Sequence, residues 1–150
     1  LGEVVPRPEF LSIHHLKFAV SDLDRSLTFY SRILGARRLT ELDHVTADGQ
    51  LFALILEVPK LGAALQLRLS AEHAAKQKGF DPLTLAVEGR ADLQKWVEYL
   101  DTEQVAHSPI LTAYVGWLLA FEDPDGRRIR LYTHERHGPE LTPSTDARWL

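Results

Sequence analysis

The sequence predicts an α+β protein of two tandem βαβββ modules that form a curved, half-closed mixed sheet with the helices outside. Three observations predict it. Residues 15–34 (HLKFAVSDLDRSLTFYSRIL) repeat the pattern of residues 82–100 (PLTLAVEGRADLQKWVEYL), with several identities, and such self-similarity marks a duplicated structural unit. Each copy joins a short alternating run to an amphipathic helical stretch. After each helix come strand-like runs divided by turn residues.

The register of the repeat is specific. Leu16, Phe18, Ala19 and Val20 fall on Leu83, Leu85, Ala86 and Val87 at a spacing of 67. Leu27, Tyr30 and Leu34 fall on Leu93, Trp96 and Leu100 at a spacing of 66, so the second copy lacks one loop residue.

In the first module, residues 11–70, the opening strand puts His15 and Lys17 on one face and Leu16 and Phe18 on the other. The helix follows: Ser21 to Asp24 is an S-x-x-D capping signal, Leu23, Leu27, Tyr30 and Leu34 form the apolar stripe, and Gly35 supplies the stop. The strands expected next are ARRLTEL, then QLFALILEV after Asp48-Gly49, then AALQLRLS. Residues 71–80 are a polar connector with some helical tendency.

The second module, residues 81–134, repeats the plan. Leu93, Trp96, Val97 and Leu100 make its helical stripe, which assigns Trp96 to the core. Strands are expected near QVAHS, at VGWLLAFE and at RRIRLYT, the last after a Pro124-Asp125-Gly126 turn in which Gly126 takes positive φ. Tyr114 and Trp117 suit either a flap over a cleft or an exposed hairpin tip. Residues 135–150 form a Pro-rich extended tail that Trp149 can anchor. The whole is one domain. A four-stranded sheet with one helix is covered on one face only, so two such sheets imply a cleft.

Composition narrows the function. The 150 residues are 45% hydrophobic and 25% charged, as in soluble globular proteins. No apolar stretch reaches the ~18 residues of a membrane span, and a cytoplasmic location is expected. There is no cysteine, which excludes disulfides, thiolate metal sites and cysteine nucleophiles. The net charge of -4, with no basic stripe, argues against nucleic acid as the partner.

The stretches IHHLKFAVSDLDRSLTFYSRILG and FEDPDGRRIRLY, together with the module repeat, resemble the vicinal oxygen chelate superfamily: glyoxalase I, extradiol dioxygenases, and fosfomycin and bleomycin resistance proteins. The resemblance covers residues 11–134. It implies the paired βαβββ fold, a homodimer in which clefts are often completed across subunits, and a divalent metal held by the first and last strands of each module. Carried over, those metal positions fall on His15, Gln66, Pro82 and Arg130. Proline offers no lone pair, an amide oxygen is a weak donor, and a guanidinium repels a cation. The expectation is therefore no cofactor. The alternative is a divalent metal (Zn, Ni, Fe or Mn) with His15 and Gln66 among its ligands, or a relocated site using His44, His107 or the His134 and His137 pair.

Strand parity turns the alternates of the core residues toward the cleft: His15, Lys17, Gln66, Arg68, Thr84, Arg128, Arg130 and Tyr132. That lining has four permanent cations and no carboxylate, which favours a small anionic organic ligand clamped by arginine. Other readings stay open for several of them. His15 suits a structural role, Lys17 can reach the rim, Gln66 can bridge strands, and the arginines can pair with Glu57, Glu122 or a partner chain. Two functions follow: a metal-free binding protein, or an enzyme (lyase, isomerase or dioxygenase) with a relocated metal or with His15 as general base and Arg130 stabilising an enolate.

Overall fold

Apolar alternation at the start of each repeat produces a strand that lies parallel to the last strand of its own module. In the computed structural model, which describes residues 2–150, β1 (His15–Val20) is followed by α1 (Leu23–Leu34), β2 (Arg37–Arg38), β3 (His44–Val45), β4 (Leu51–Glu57) and β5 (Ala64–Leu69). A short helix, α2 (Ala71–Lys76), leads to β6 (Leu83–Val87), α3 (Arg90–Thr102), β7 (Leu111–Thr112), β8 (Trp117–Glu122) and β9 (Arg128–Thr133). The first sheet runs β1-β5-β4-β2, with β3 also on β4, and the second runs β6-β9-β8-β7. β1 is parallel to β5 and β6 is parallel to β9, while β4 and β8 are antiparallel to those last strands. The two modules thus share one topology, as the repeat predicts.

Local differences have local causes. The cap of α1 is Asp22, whose carboxylate accepts from the Arg25 amide at 2.9 Å, because Ser21 is engaged elsewhere, donating its hydroxyl to Asp125. Gly35 closes the helix at φ 68°, a conformation glycine adopts without a Cβ penalty. The ARRLTEL run is strand only at Arg37–Arg38 and then turns through a single 3₁₀ turn, Thr40–Leu42. Near QVAHS there is a lone bridge from His107 to Phe121, and the paired strand comes later, at β7.

One core serves both modules. Phe18, Val20, Tyr30 and Ile33 of the first pack in the same cluster as Leu93, Leu100, Phe121 and Leu131 of the second. Trp96 stacks on Phe121 with its ring 6.4 Å away, and Phe29 lies 6.3 Å from the same ring. Fully buried leucines such as Leu54, Leu56, Leu65 and Leu67 contribute roughly 1.5–3 kcal/mol each. The helix-facing sides of both sheets share this core, and the opposite faces point away from it.

Two features stay open to a neighbour. β1 and β6 are sheet edges that are not paired with one another. Ahead of β1, residues 2–14 form neither helix nor strand, and Val4, Phe10 and Leu11 there are exposed. Among the described residues, no helix is long and apolar enough to cross a membrane.

Candidate binding site

On the first sheet, parity acts as expected. Lys17 lies opposite Gln66 and Ala19 opposite Arg68, on the face away from the core. Gln66 is nearly buried, whereas Lys17 and Arg68 are exposed, and the Arg68 guanidinium sits 4.5 Å from the Phe52 ring centroid. His15, at the exposed start of β1, has its Nδ1 3.0 Å from Nδ1 of His14.

A cavity of about 490 Å³ opens where this face meets α2, lined by Lys17, Ala19, Arg68, Leu69, Ser70, His73, Lys76 and Gln77. Four of these carry or can carry positive charge and none is a carboxylate. Ser70, His73, Lys76 and Gln77 were not among the predicted site residues. Their signal was the spacing of His73 and Lys76, three apart in a segment with helical tendency, which sets both on one face. Ser70 fixes that helix: its hydroxyl accepts from the His73 amide at 3.4 Å and lies 2.8 Å from His73 Nδ1. Lys76 also lies 3.5 Å from the exposed Glu72, a pair that solvent screens heavily.

The second sheet presents Arg128, Arg130 and Tyr132 on the face opposite Ile129 and Leu131, again as parity requires. It is not a carboxylate-free surface. Glu122 lies across from Arg128 in register, with Oε1 3.5 Å from Arg128 Nη2, and Asp81 Oδ2 lies 2.8 Å from Arg130 Nε. Pairing with Glu122 was among the alternatives open in the sequence. Asp81 was not, because it precedes β6 and reaches Arg130 only when β6 aligns parallel to β9. Tyr132 spends its hydroxyl as an acceptor for the Val115 and Gly116 amides, at 3.2 and 3.4 Å. Thr84 is exposed and in register with Arg130. Tyr114 is a hairpin tip, 87% exposed.

The tail covers much of this second face. Trp149 is buried against Leu111, Ala113, Leu118 and Ala120, with the Arg128 guanidinium 4.8 Å from its ring centroid. The predicted residues therefore come together as two groups on two sheets: His15, Lys17, Gln66 and Arg68 on one, Thr84, Arg128, Arg130 and Tyr132 on the other.

The carried-over metal positions divide the same way. His15 and Gln66 belong to the first sheet, while Pro82 and the Asp81-paired Arg130 belong to the second. One imidazole and one amide on the first sheet, with a proline and a guanidinium on the second, do not suit a divalent cation, which needs three or more lone-pair donors from the protein. His134 is exposed, and both ring nitrogens of His137 face backbone carbonyls, so HERH does not form a metal pair.

A sequence model of the Glyoxalase/Bleomycin resistance protein/Dioxygenase superfamily matches residues 12–131. The chain belongs to that superfamily. It is 29% identical over 129 residues to a candidate ring-cleaving dioxygenase, MhqA, of Bacillus subtilis (strain 168), covering 82% of this chain and 40% of that protein's length. Its fold is similar to a glyoxylase/bleomycin resistance protein/dioxygenase domain from Frankia sp. EAN1pec, with a TM-score of 0.65 and 23% identity over 83% of this chain and 98% of the other. It is also similar to TnmS3, an antibiotic binding protein from Streptomyces sp. CB03234, with a TM-score of 0.64 and 20% identity over 85% and 98%. A fosfomycin resistance protein, FosX from Listeria monocytogenes, gives a TM-score of 0.66 and 14% identity over 85% and 96%. Superfamily membership explains the duplicated βαβββ topology; these identities carry the fold and leave the chemistry to the site.

Proposed function

We propose that this superfamily member is a cytoplasmic, metal-free binding protein for a small anionic organic molecule. The observation that carries the reading is the cavity bounded by Lys17, Arg68, His73 and Lys76, with no carboxylate in its wall. Cations of one sign in a concave surface focus the field and favour a carboxylate or phosphate, which Arg68 can hold through two parallel hydrogen bonds. The donor set at the superfamily's metal positions supports a metal-free mode. A FosX variant has been crystallised with Mn(II) and 1S,2S-dihydroxypropylphosphonic acid, and TnmS3 is named for antibiotic binding; both support a small-molecule role by analogy.

The homodimer belongs to the same proposal. Two core-averted faces on separate sheets, the second partly covered by the tail, two free edges at β1 and β6, and an exposed apolar arm support a cup completed by a second copy, with Lys17, Gln66 and Arg68 of one chain facing Thr84 and Arg130 of the other.

The test is thermal stabilisation by inorganic phosphate and benzoate in the parent chain and in Arg68→Glu. Stabilisation of the parent that Arg68→Glu abolishes is the expected result. Equal stabilisation of both, or of neither, refutes the basic cavity. The second reading, an enzyme of the superfamily with His15 as general base and Arg130 as enolate stabiliser, draws on the MhqA similarity. Stoichiometric zinc, nickel, iron or manganese in protein purified without chelator would favour the form of that enzyme with a relocated metal over the metal-free binder.

A further inference from the structure

Three features coincide on the open face of the second sheet. The first is an apolar bed distinct from the main core. Leu111, Ala113, Leu118 and Ala120 cluster there, and the short side chains at 113 and 120 leave room for a flat ring. Trp149 fills it and is the one buried residue in the stretch 134–150.

The second feature is a pair of guanidinium Nε–H donors without an acceptor among the described residues, on arginines whose charge is partly met by Glu122 and Asp81. Arg128 Nε and Arg130 Nε are both buried and make no hydrogen bond, although Arg130 Nε lies 2.8 Å from Asp81 Oδ2, because that oxygen is off the N–H direction. A buried N–H without an acceptor is costly. Trp149 stacks under the Arg128 guanidinium but brings its indole ring no anionic oxygen. The bed is thus filled by an aromatic ring that satisfies its shape and leaves two guanidinium N–H groups without an acceptor, beside the carboxylates of Glu122 and Asp81.

The third feature is the weak hold of the tail. Residues 134–150 contain no helix or strand. Beyond His137 they are held by a two-bond bridge between Ser144 and Thr112, at 2.8 and 3.0 Å, and by a turn that Asp146 caps. Segments with few buried contacts open first.

We propose that this face is a slot for a flat aromatic ring bearing a carboxylate or similar anionic group, and that Trp149 occupies it in the free protein until such a ligand displaces it. The proposal rests on the anion-binding reading above and adds two things: the ligand is aromatic, and the chain's own tail competes with it. A ligand that enters a site open only part of the time binds more weakly by the fraction open, so removing the plug tightens binding.

The probe is 1-naphthoate, titrated into the full-length chain and into Trp149→Ala, Trp149→Phe and the double variant Trp149→Ala/Arg128→Gln, with cyclohexanecarboxylate as the non-aromatic control. Trp149→Ala should bind naphthoate about tenfold or more tighter than the parent. Trp149→Phe should stay near the parent, and the double variant should lose the gain. Equal naphthoate affinity in the parent and Trp149→Ala, or a gain shared by cyclohexanecarboxylate, overturns the slot. If Trp149→Ala fails to fold, the Trp149 indole resonance of the parent, assigned by comparison with Trp149→Phe, decides: it shifts on adding naphthoate, or it stays unmoved and the proposal falls. If phosphate still stabilises the parent through Arg68 while naphthoate ignores Trp149, only the slot is lost. If no anion binds any form, the anion-binding reading falls with it.

Discussion

The Arg127 guanidinium and the Asp123 carboxylate are both fully excluded from solvent, and Arg127 Nη1 donates to Asp123 Oδ2 at 2.7 Å. Both are tied in further. Tyr30 donates its hydroxyl to Asp123 Oδ2 at 2.6 Å, Arg127 Nε donates to Gln77 Oε1 at 2.8 Å, and Arg127 Nη2 donates to the Ala19 carbonyl. The Phe18 ring lies against the same guanidinium, at 4.6 Å. β1, α1, the residue after α2 and the β8–β9 turn thus meet at one ion pair that joins the two modules. Burial, with the Asp123 charge adding to it, pushes the Tyr30 hydroxyl well above the ordinary tyrosine range, so it stays protonated and donates.

Asp123→Asn leaves Arg127 charged and buried without its counterion. The expected loss is about 3–5 kcal/mol, the scale for breaking a buried pair. Tyr30→Phe removes one hydrogen bond to a charged acceptor and should cost about 1.5–3 kcal/mol. Urea unfolding followed by far-ultraviolet circular dichroism measures both. Losses under 1 kcal/mol in Asp123→Asn would mean that the pair does not hold the modules together.

His137 links pH to the tail. Its Nε2 lies 2.7 Å from the Ala113 carbonyl and its Nδ1 2.8 Å from the Gly138 carbonyl, and both contacts become donations only when the ring is doubly protonated. The two carbonyls, Ala113 foremost, raise its pKa above the ordinary 6.5, with Glu140 adding a little. A group raised on folding stabilises fully below its unfolded pKa, and the benefit is lost as pH rises through the folded value. The melting temperature of the parent should therefore exceed that of His137→Ala most below about pH 6.5, with the gap narrowing at higher pH. A gap that widens with pH contradicts this assignment.

The arm before β1 tests the second copy. Phe10 and Leu11 are 83% and 102% exposed, and Val4, Val5 and Ile13 of the same arm are exposed too; contiguous exposed apolar surface marks an interaction site. Sedimentation equilibrium should give the mass of two chains at micromolar concentration. A Phe10→Ser/Leu11→Ser double variant should weaken self-association by about tenfold or more, as loss of apolar anchors does. A parent that stays monomeric at every concentration rules out a cup shared between copies.

Gly35 and Gly126 illustrate what a sequence states locally. Each was expected to end or turn the chain, and each sits at positive φ, 68° and 79°, because that conformation depends on the residue's own lack of a Cβ. The capping signal at Ser21 failed for the opposite reason. Its hydroxyl is drawn to Asp125, which stands 104 residues away along the chain.

The sequence by itself determined the duplicated βαβββ plan, the helical stripes, and the parity that sets Arg128, Arg130 and Tyr132 opposite Ile129 and Leu131. These follow from periods of 2 and 3.6 built into the backbone, which act within a few residues. Only the tertiary structure decided what those side chains meet: Asp81 beside Arg130, Glu122 and Trp149 beside Arg128, and His73 and Lys76 beside Lys17 and Arg68. It also decided that Arg127, in phase with the buried Ile129 and Leu131, meets Asp123, Gln77 and the Ala19 carbonyl between the modules. Partners of a charged group are chosen by segments distant in sequence that folding brings within a few ångströms, and no local period records that choice.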